Sequence, residues 1–120
     1  MKHTFAQFLI AAPASGSGKT TISIGMMAAL VRRGRVVQPF KCGPDYIDTK
    51  YHGMACHRSS YNLDLFMATD SHVKAIYSEA SRGADICVVE GMMGLFDGFQ
   101  HQQGSAAHVA ATLHLPVILV

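Results

Sequence analysis

Three observations predict an α/β fold in which helices cover both faces of a mostly parallel sheet. Short apolar runs alternate with helical patterns along the 120 residues, the order expected of strand–helix–strand units with right-handed connections. One of these runs, Ile86-Cys-Val-Val89, has no polar interruption, as suits a strand buried on both faces. The longest polar segments follow strands, where ligands of open α/β sheets bind.

Taken in order, Phe5 to Ala12 reads as the first strand. The first helix runs from Lys19 to Arg33, with Ile22, Met26, Met27 and Leu30 at helical spacing. Arg32 and Arg33 suit its negative end, and Gly34 its C′ position. Val36 to Lys41 reads as the second strand, and a turn-rich polar loop from Cys42 to Ser60 follows. A short helical turn is expected around Asn62 to Met67. A longer helix spans Ser71 to Ser81, with Thr69 or Asp70 as N-cap and Gly83 as its stop. Asp85 to Glu90 is the next strand, and Gly91 to Gly104 a second long loop. Ser105 caps a helix through Leu113, and Pro116 to Val120 opens another buried strand. The fold is therefore expected to be cut within a strand at Val120, with residues 1–120 the N-terminal part of a larger domain, since boundaries fall in exposed linkers.

Between the first strand and the first helix lies SGSGKTT, residues 15 to 21. Glycines at 16 and 18 let backbone N–H groups converge on an anion, and the helix N-terminus faces it with a partial positive charge. This is a phosphate-binding loop, so the fold becomes a three-layer P-loop NTPase type. Ser15, Gly16, Ser17, Gly18, Lys19, Thr20 and Thr21 are the candidate ATP contacts. Lys19 can reach the β- and γ-phosphates, and the Thr20 hydroxyl can ligate Mg²⁺. The pattern G-x-x-x-x-G-K-[ST] lacks its first glycine, which falls on Pro13, so the cradle must be built from positions 15 to 20.

Composition narrows the field. Hydrophobic residues make up 49% and charged residues 15%, which is a folded chain and not a disordered one. A net charge of +2 points to neither nucleic acid nor a membrane surface as partner. No apolar run is long enough for a membrane span, and the short Phe8–Ala12 run after Lys2 leads into the phosphate loop and is no targeting signal. Cys42, Cys56 and Cys87 are odd in number and form no C-x-x-C pair, as suits reduced thiols in a cytoplasmic protein. His52, Cys56 and His57 match no zinc spacing.

Strand ends supply the acids. Asp45 and Asp48 follow the second strand in PFKCGPDYID, and Glu90 closes the next in VVEGMMGLFDG. An acid ending an apolar strand behind a phosphate loop has the Walker B arrangement, aiming a carboxylate at Mg²⁺ or its waters. Glu90 and Thr20 are thus the candidate metal ligands from this reading. Lys41 is placed to neutralise a phosphoryl group or a substrate carboxylate, and Asp97 to orient substrate or metal, against simple readings as a surface lysine and an Asp-Gly turn. No Ser-His-Asp or Cys-His arrangement stands out. From the residues alone the chain is a Mg-ATP enzyme or switch.

Three strings together, APASGSGKTT (12 to 21), VQPFKCGPDYIDTKYH (37 to 52) and VEGMMGLFDG (89 to 98), closely resemble the N-terminal ATP-binding domain of the cobyrinic acid a,c-diamide synthase family. The similarity extends through SSYNLDLFM (59 to 67), GSAAHVA (104 to 110) and the final PVILV. The resemblance implies a domain similar to dethiobiotin synthetase and an ATP-dependent, glutamine-hydrolysing ligase of cobalamin synthesis. Such a ligase phosphorylates the a and c acetate carboxylates of the corrin, and ammonia then displaces phosphate. It implies that Lys19 binds phosphates, that Thr20 and Glu90 hold Mg²⁺, and that Asp45 joins them or contacts substrate. It also implies that Asp48 and Asp97 position the corrinoid substrate or the acyl phosphate. Ammonia would come from a C-terminal glutaminase domain, absent from these residues, and the 120-residue piece alone is expected to be inactive. A homodimer is a further possibility.

The alternatives differ in substrate or in class. Within the family they are synthases acting on hydrogenobyrinic acid or Ni-sirohydrochlorin. Outside it stands a P-loop switch or partitioning ATPase, against which speak the PFKCGPDYID string and Ala14, where ParA- and MinD-like ATPases carry a signature lysine. A degenerate fragment that folds poorly is the last.

Overall fold

The computed structural model describes residues 6–99 and 102–120. Phe5, the expected start of the first strand, and Lys2 lie outside the described residues. Nine elements follow one another: β1 (Ala6–Ala11), α1 (Lys19–Arg32), β2 (Val37–Cys42), α2 (Asp48–Cys56), β3 (Tyr61–Leu63), α3 (Asp70–Ala80), β4 (Ile86–Glu90), α4 (Ala106–Leu113) and β5 (Val117–Leu119). The strands form one sheet in the order β3-β2-β4-β1-β5, and every pairing between them is parallel.

Side chains alternate across this sheet, and the alternation builds two cores. Leu9 and Ala11 of β1, Phe40 and Cys42 of β2, and Cys87 and Val89 of β4 share one buried cluster with Val73 and Tyr77 of α3 and Val109 of α4. Ile10, Val37 and Val88 face the other way, onto Met27 of α1 and Cys56 of α2. Because the β2–β4 register sets Lys41 beside Glu90, both polar side chains emerge on this second face, at the carboxyl ends of their strands.

Helix ends follow the residues expected of them. The Thr69 hydroxyl accepts from the His72 N–H at the start of α3, and the Ser105 hydroxyl from the His108 N–H at the start of α4. Gly34 and Gly83 adopt positive φ (83° and 77°) just past α1 and α3.

Three expectations need correction. The segment from Cys42 to Ser60 is not one loop: it contains α2. Its turn-forming residues sit ahead of the helix, and Asp48, His52 and Cys56 recur every fourth residue on one face. Asn62 to Met67 is not a helical turn throughout. Tyr61–Leu63 pair with β2 as an edge strand, and the turn begins only after it, with Asp64 Oδ1 accepting from the N–H groups of Phe66 and Met67. The last strand is not buried. Among the described residues β5 pairs with β1 alone, leaving Val117, Ile118 and Leu119 exposed.

Candidate functional site

The phosphate loop owes its shape to backbone constraints. Gly16 and Gly18 hold φ of 79° and 85°, a region that other residues enter at a cost of about 1 kcal/mol or more. A Cβ built on either would meet nothing within 4 Å, so both face open space. Residues Ser15 to Gly18 are exposed, Lys19 is buried, Thr20 half-buried and Thr21 exposed. Helix α1 begins at Gly18 with no side chain capping its first N–H groups and no acid in its first turn. The starts of α3 and α4 have hydroxyl caps, and α2 takes the Asp45 carboxylate. The first turn of α1 thus presents unsatisfied donors and a positive dipole end where the loop opens.

Behind the loop lies a buried polar cluster centred on Glu90, which has no exposed surface. Its Oε2 accepts from the Thr20 hydroxyl (2.6 Å) and from Lys41 Nζ (2.9 Å). Its Oε1 lies 2.7 Å from His52 Nε2. Lys41 Nζ also donates to Asp48 Oδ2 (2.7 Å) and to the Gly91 carbonyl (3.2 Å). An ammonium has three hydrogens, and each finds an acceptor here.

These contacts decide the charges. Burial pushes the Glu90 carboxyl up, but hydrogen bonds from His52 and Thr20 and the Lys41 charge outweigh it and hold the group at about 2. Burial likewise disfavours the Lys41 ammonium, yet Asp48 and Glu90 more than compensate and its pKa rises. Glu90 is therefore ionised and only accepts, so His52 Nε2 carries the hydrogen between them. The other ring nitrogen, Nδ1, sits 2.9 Å from the Ser60 hydroxyl.

Of the residues singled out in the sequence, the fold brings together Thr20, Lys41, Asp48 and Glu90. Asp48 comes within 3.5 Å of the Thr20 hydroxyl. Asp45 serves its own turn. Its Oδ1 accepts from the N–H groups of Ile47 (2.9 Å) and Asp48 (2.7 Å), holding the entry to α2, while its own N–H donates to Asn62 Oδ1. Asp97 folds the 91–98 loop, its Oδ2 accepting from the Gly94 N–H (2.8 Å). That loop docks on the phosphate loop's first limb: Leu95 N–H donates to the Ala12 carbonyl (2.7 Å), and a Cβ on Gly94 would collide with the Pro13 carbonyl.

From the sequence, His52 is weighed only as a zinc ligand, and Ser60 has no role. The i, i+4 spacing of Asp48 and His52 was the available sign, once that segment is known to be helical. Among the described residues no group of three His, Cys, Asp or Glu side chains is arranged to hold a metal ion. The Thr20 hydroxyl and the Glu90 and Asp48 carboxylates are oxygen donors, the class of ligand that hard cations take. Thr20 fits such a role: its hydrogen goes to Glu90, which leaves its lone pairs for a cation.

Residues 8–119 match the family described as the CobQ/CobB/MinD/ParA nucleotide binding domain. The chain belongs to this family. Nucleotide binding is the property that the uncapped start of α1 and the loop ahead of it provide. Relatives similar to this nucleotide-binding domain include a cobyrinate a,c-diamide synthase from Picrophilus torridus, 56% identical over 93% of the chain and 26% of the relative. Others are hydrogenobyrinate a,c-diamide synthases from Brucella ovis, 51% identical over 94% of the chain and 26% of the relative, and from Streptomyces coelicolor, 49% identical over 95% and 24%. The chain thus spans about a quarter of the length of these relatives. They bear out the resemblance drawn from the three sequence strings. No helix among the described residues is long and apolar enough to cross a membrane.

Proposed function

We propose that the chain is the nucleotide-binding part of an ATP-dependent amidoligase that converts the a and c acetate carboxylates of a corrin-type substrate to amides. The observation that carries the reading is the Thr20–Glu90–Lys41–Asp48 cluster lying directly behind an uncapped phosphate-loop helix. Such a site holds both nucleotide phosphates and an anionic acceptor without a protein nucleophile. Relatives carry both substrate names, and the hydrogenobyrinate name recurs in the Brucella and Streptomyces proteins. This favours the cobalt-free substrate over the cobalt-containing one that the sequence strings suggested first.

In this reading Lys19 and the α1 N–H groups neutralise the phosphates as the γ-phosphoryl passes to a carboxylate oxygen and ADP leaves. Ammonia then attacks the acyl carbon, and phosphate departs carrying one former carboxylate oxygen. Mg²⁺, when bound, supplies charge neutralisation on the β- and γ-phosphates; Thr20 and Glu90, with Asp48 or Asp45, would hold it or its waters. Lys41 ion-pairs with both Asp48 and Glu90 and so ties the two acids together. Asp48 and Asp97 would position substrate. In this reading ammonia comes from a glutaminase domain C-terminal to these residues, in a cytoplasmic enzyme that pairs as a homodimer.

Full-length protein given ATP, Mg²⁺ and glutamine should convert hydrogenobyrinate, and to a lesser extent cobyrinate, to diamides seen by mass. Heavy oxygen placed in the carboxylates should appear in the released phosphate. ATP hydrolysis indifferent to either corrin would sink the reading and favour the switch ATPase.

A further inference from the structure

The buried polar cluster contains two groups that the nucleotide and acceptor roles leave unused, His52 and Ser60. His52 is fully buried, on the face of α2 that also carries Asp48. Its ring bridges two elements: Nε2 to Glu90 Oε1 at the end of β4, and Nδ1 to the Ser60 hydroxyl just before β3. The two oxygens of Glu90 are thereby divided. Oε1 is committed to His52, while Oε2 receives Thr20 and Lys41.

A carboxylate with one oxygen free can rotate or tilt about its last bond, and the Thr20 hydroxyl would follow it. A single buried donor on Oε1 removes that freedom, and the Ser60 contact keeps the imidazole from swinging away. We propose that His52 is a positioning residue. By holding Glu90 Oε1 it fixes Oε2 on the Thr20 hydroxyl and so aims the Thr20 lone pairs at the cation that accompanies the nucleotide, with Ser60 holding the ring. Lys41 cannot substitute for it, because all three of its hydrogens are used, and only one of them on Glu90. Groups that act through a ligand in this way change metal affinity by about 10–100-fold when removed. The inference rests on the reading of this site as one for a nucleotide with a divalent cation.

The test is ATP affinity of the full-length protein, titrated with and without Mg²⁺, in wild type and in His52→Phe, His52→Gln and Ser60→Ala. Wild type should bind ATP more tightly with Mg²⁺. His52→Phe should lose that enhancement by about tenfold or more, while Mg²⁺-free binding through the phosphate loop changes little. His52→Gln, whose side-chain amide nitrogen occupies the place of Nε2 and can donate to Oε1, should recover most of the enhancement. Ser60→Ala should fall between. Should His52→Phe not fold, His52→Asn takes its place, since that amide matches Nδ1 and reaches Ser60 but not Glu90. An unchanged Mg²⁺ enhancement in His52→Phe or His52→Asn overturns the inference, as do equal losses in Gln and Phe. So does an equal drop of Mg²⁺-free binding, the mark of a merely structural histidine. Wild type with no Mg²⁺ enhancement at all removes the cation site and both readings together.

Discussion

At Glu90 a carboxylate without any exposed surface stays charged because three donors surround it. Its folded pKa, held at about 2, lies below the ordinary 4.5, so its ionisation stabilises the fold above that ordinary value and the benefit is lost as pH falls toward 2. Unfolding free energy measured between pH 6 and 2 should therefore drop over that window, and Glu90→Gln should flatten the drop. A slope unchanged by the substitution would assign the acid sensitivity elsewhere. Glu90→Gln in the full-length protein should also abolish Mg²⁺-dependent turnover. Lys41 is the counterpart. Lys41→Met leaves Asp48 and Glu90 facing each other with no cation between them and should cost about 3–5 kcal/mol in urea unfolding. The three thiols differ from these groups in having no charged partner that favours ionisation strongly. Burial pushes Cys42 and Cys56 up to about 12 and raises Cys87. All three should resist thiol reagents until the chain unfolds.

Elements divide into those with a local signature and those without. Helices α3 and α4 announce themselves by a hydroxyl before a periodic run, and the caps form as expected. Thr69→Ala should cost about 1 kcal/mol, read by thermal unfolding. Strand β4 is legible because it is apolar up to the acid that closes it. Helix α2 is not, because it buries His52 and Cys56 and not a stripe of large aliphatics, and Gly53 lies within it. Strand β3 has three residues and exists only through its pairing with β2. The 91–98 loop owes its conformation to contact with the phosphate loop. Gly94→Ala would drive a Cβ into the Pro13 carbonyl, with overpacking worth about 1–3 kcal/mol. Because the displaced limb carries the phosphate loop, ATP affinity should fall together with the melting temperature. A stability loss without an affinity loss would mean the two loops are not coupled.

Over the whole molecule, β2, β4 and β1 form the interior of the sheet, while β3 and β5 lie at its edges among the described residues. Amide exchange should be slowest in the three inner strands and faster in the two edges. Parallel order and the position of the ligand face follow from strand–helix alternation, so they were legible in the sequence, as were the phosphate loop and the acid that closes β4. Features written in neighbouring residues can be read without the fold: the loop's glycines, the hydroxyl caps and the apolar runs. Which acids meet is settled by long-range packing. Asp48 and His52 join Glu90 because a helix hidden in turn-forming residues lays one face against β2 and β4, whereas Asp45, three residues before Asp48, turns its Oδ1 to that helix's own entry. Such a choice depends on packing between segments about forty residues apart, and on the need of a buried anion for donors from several of them.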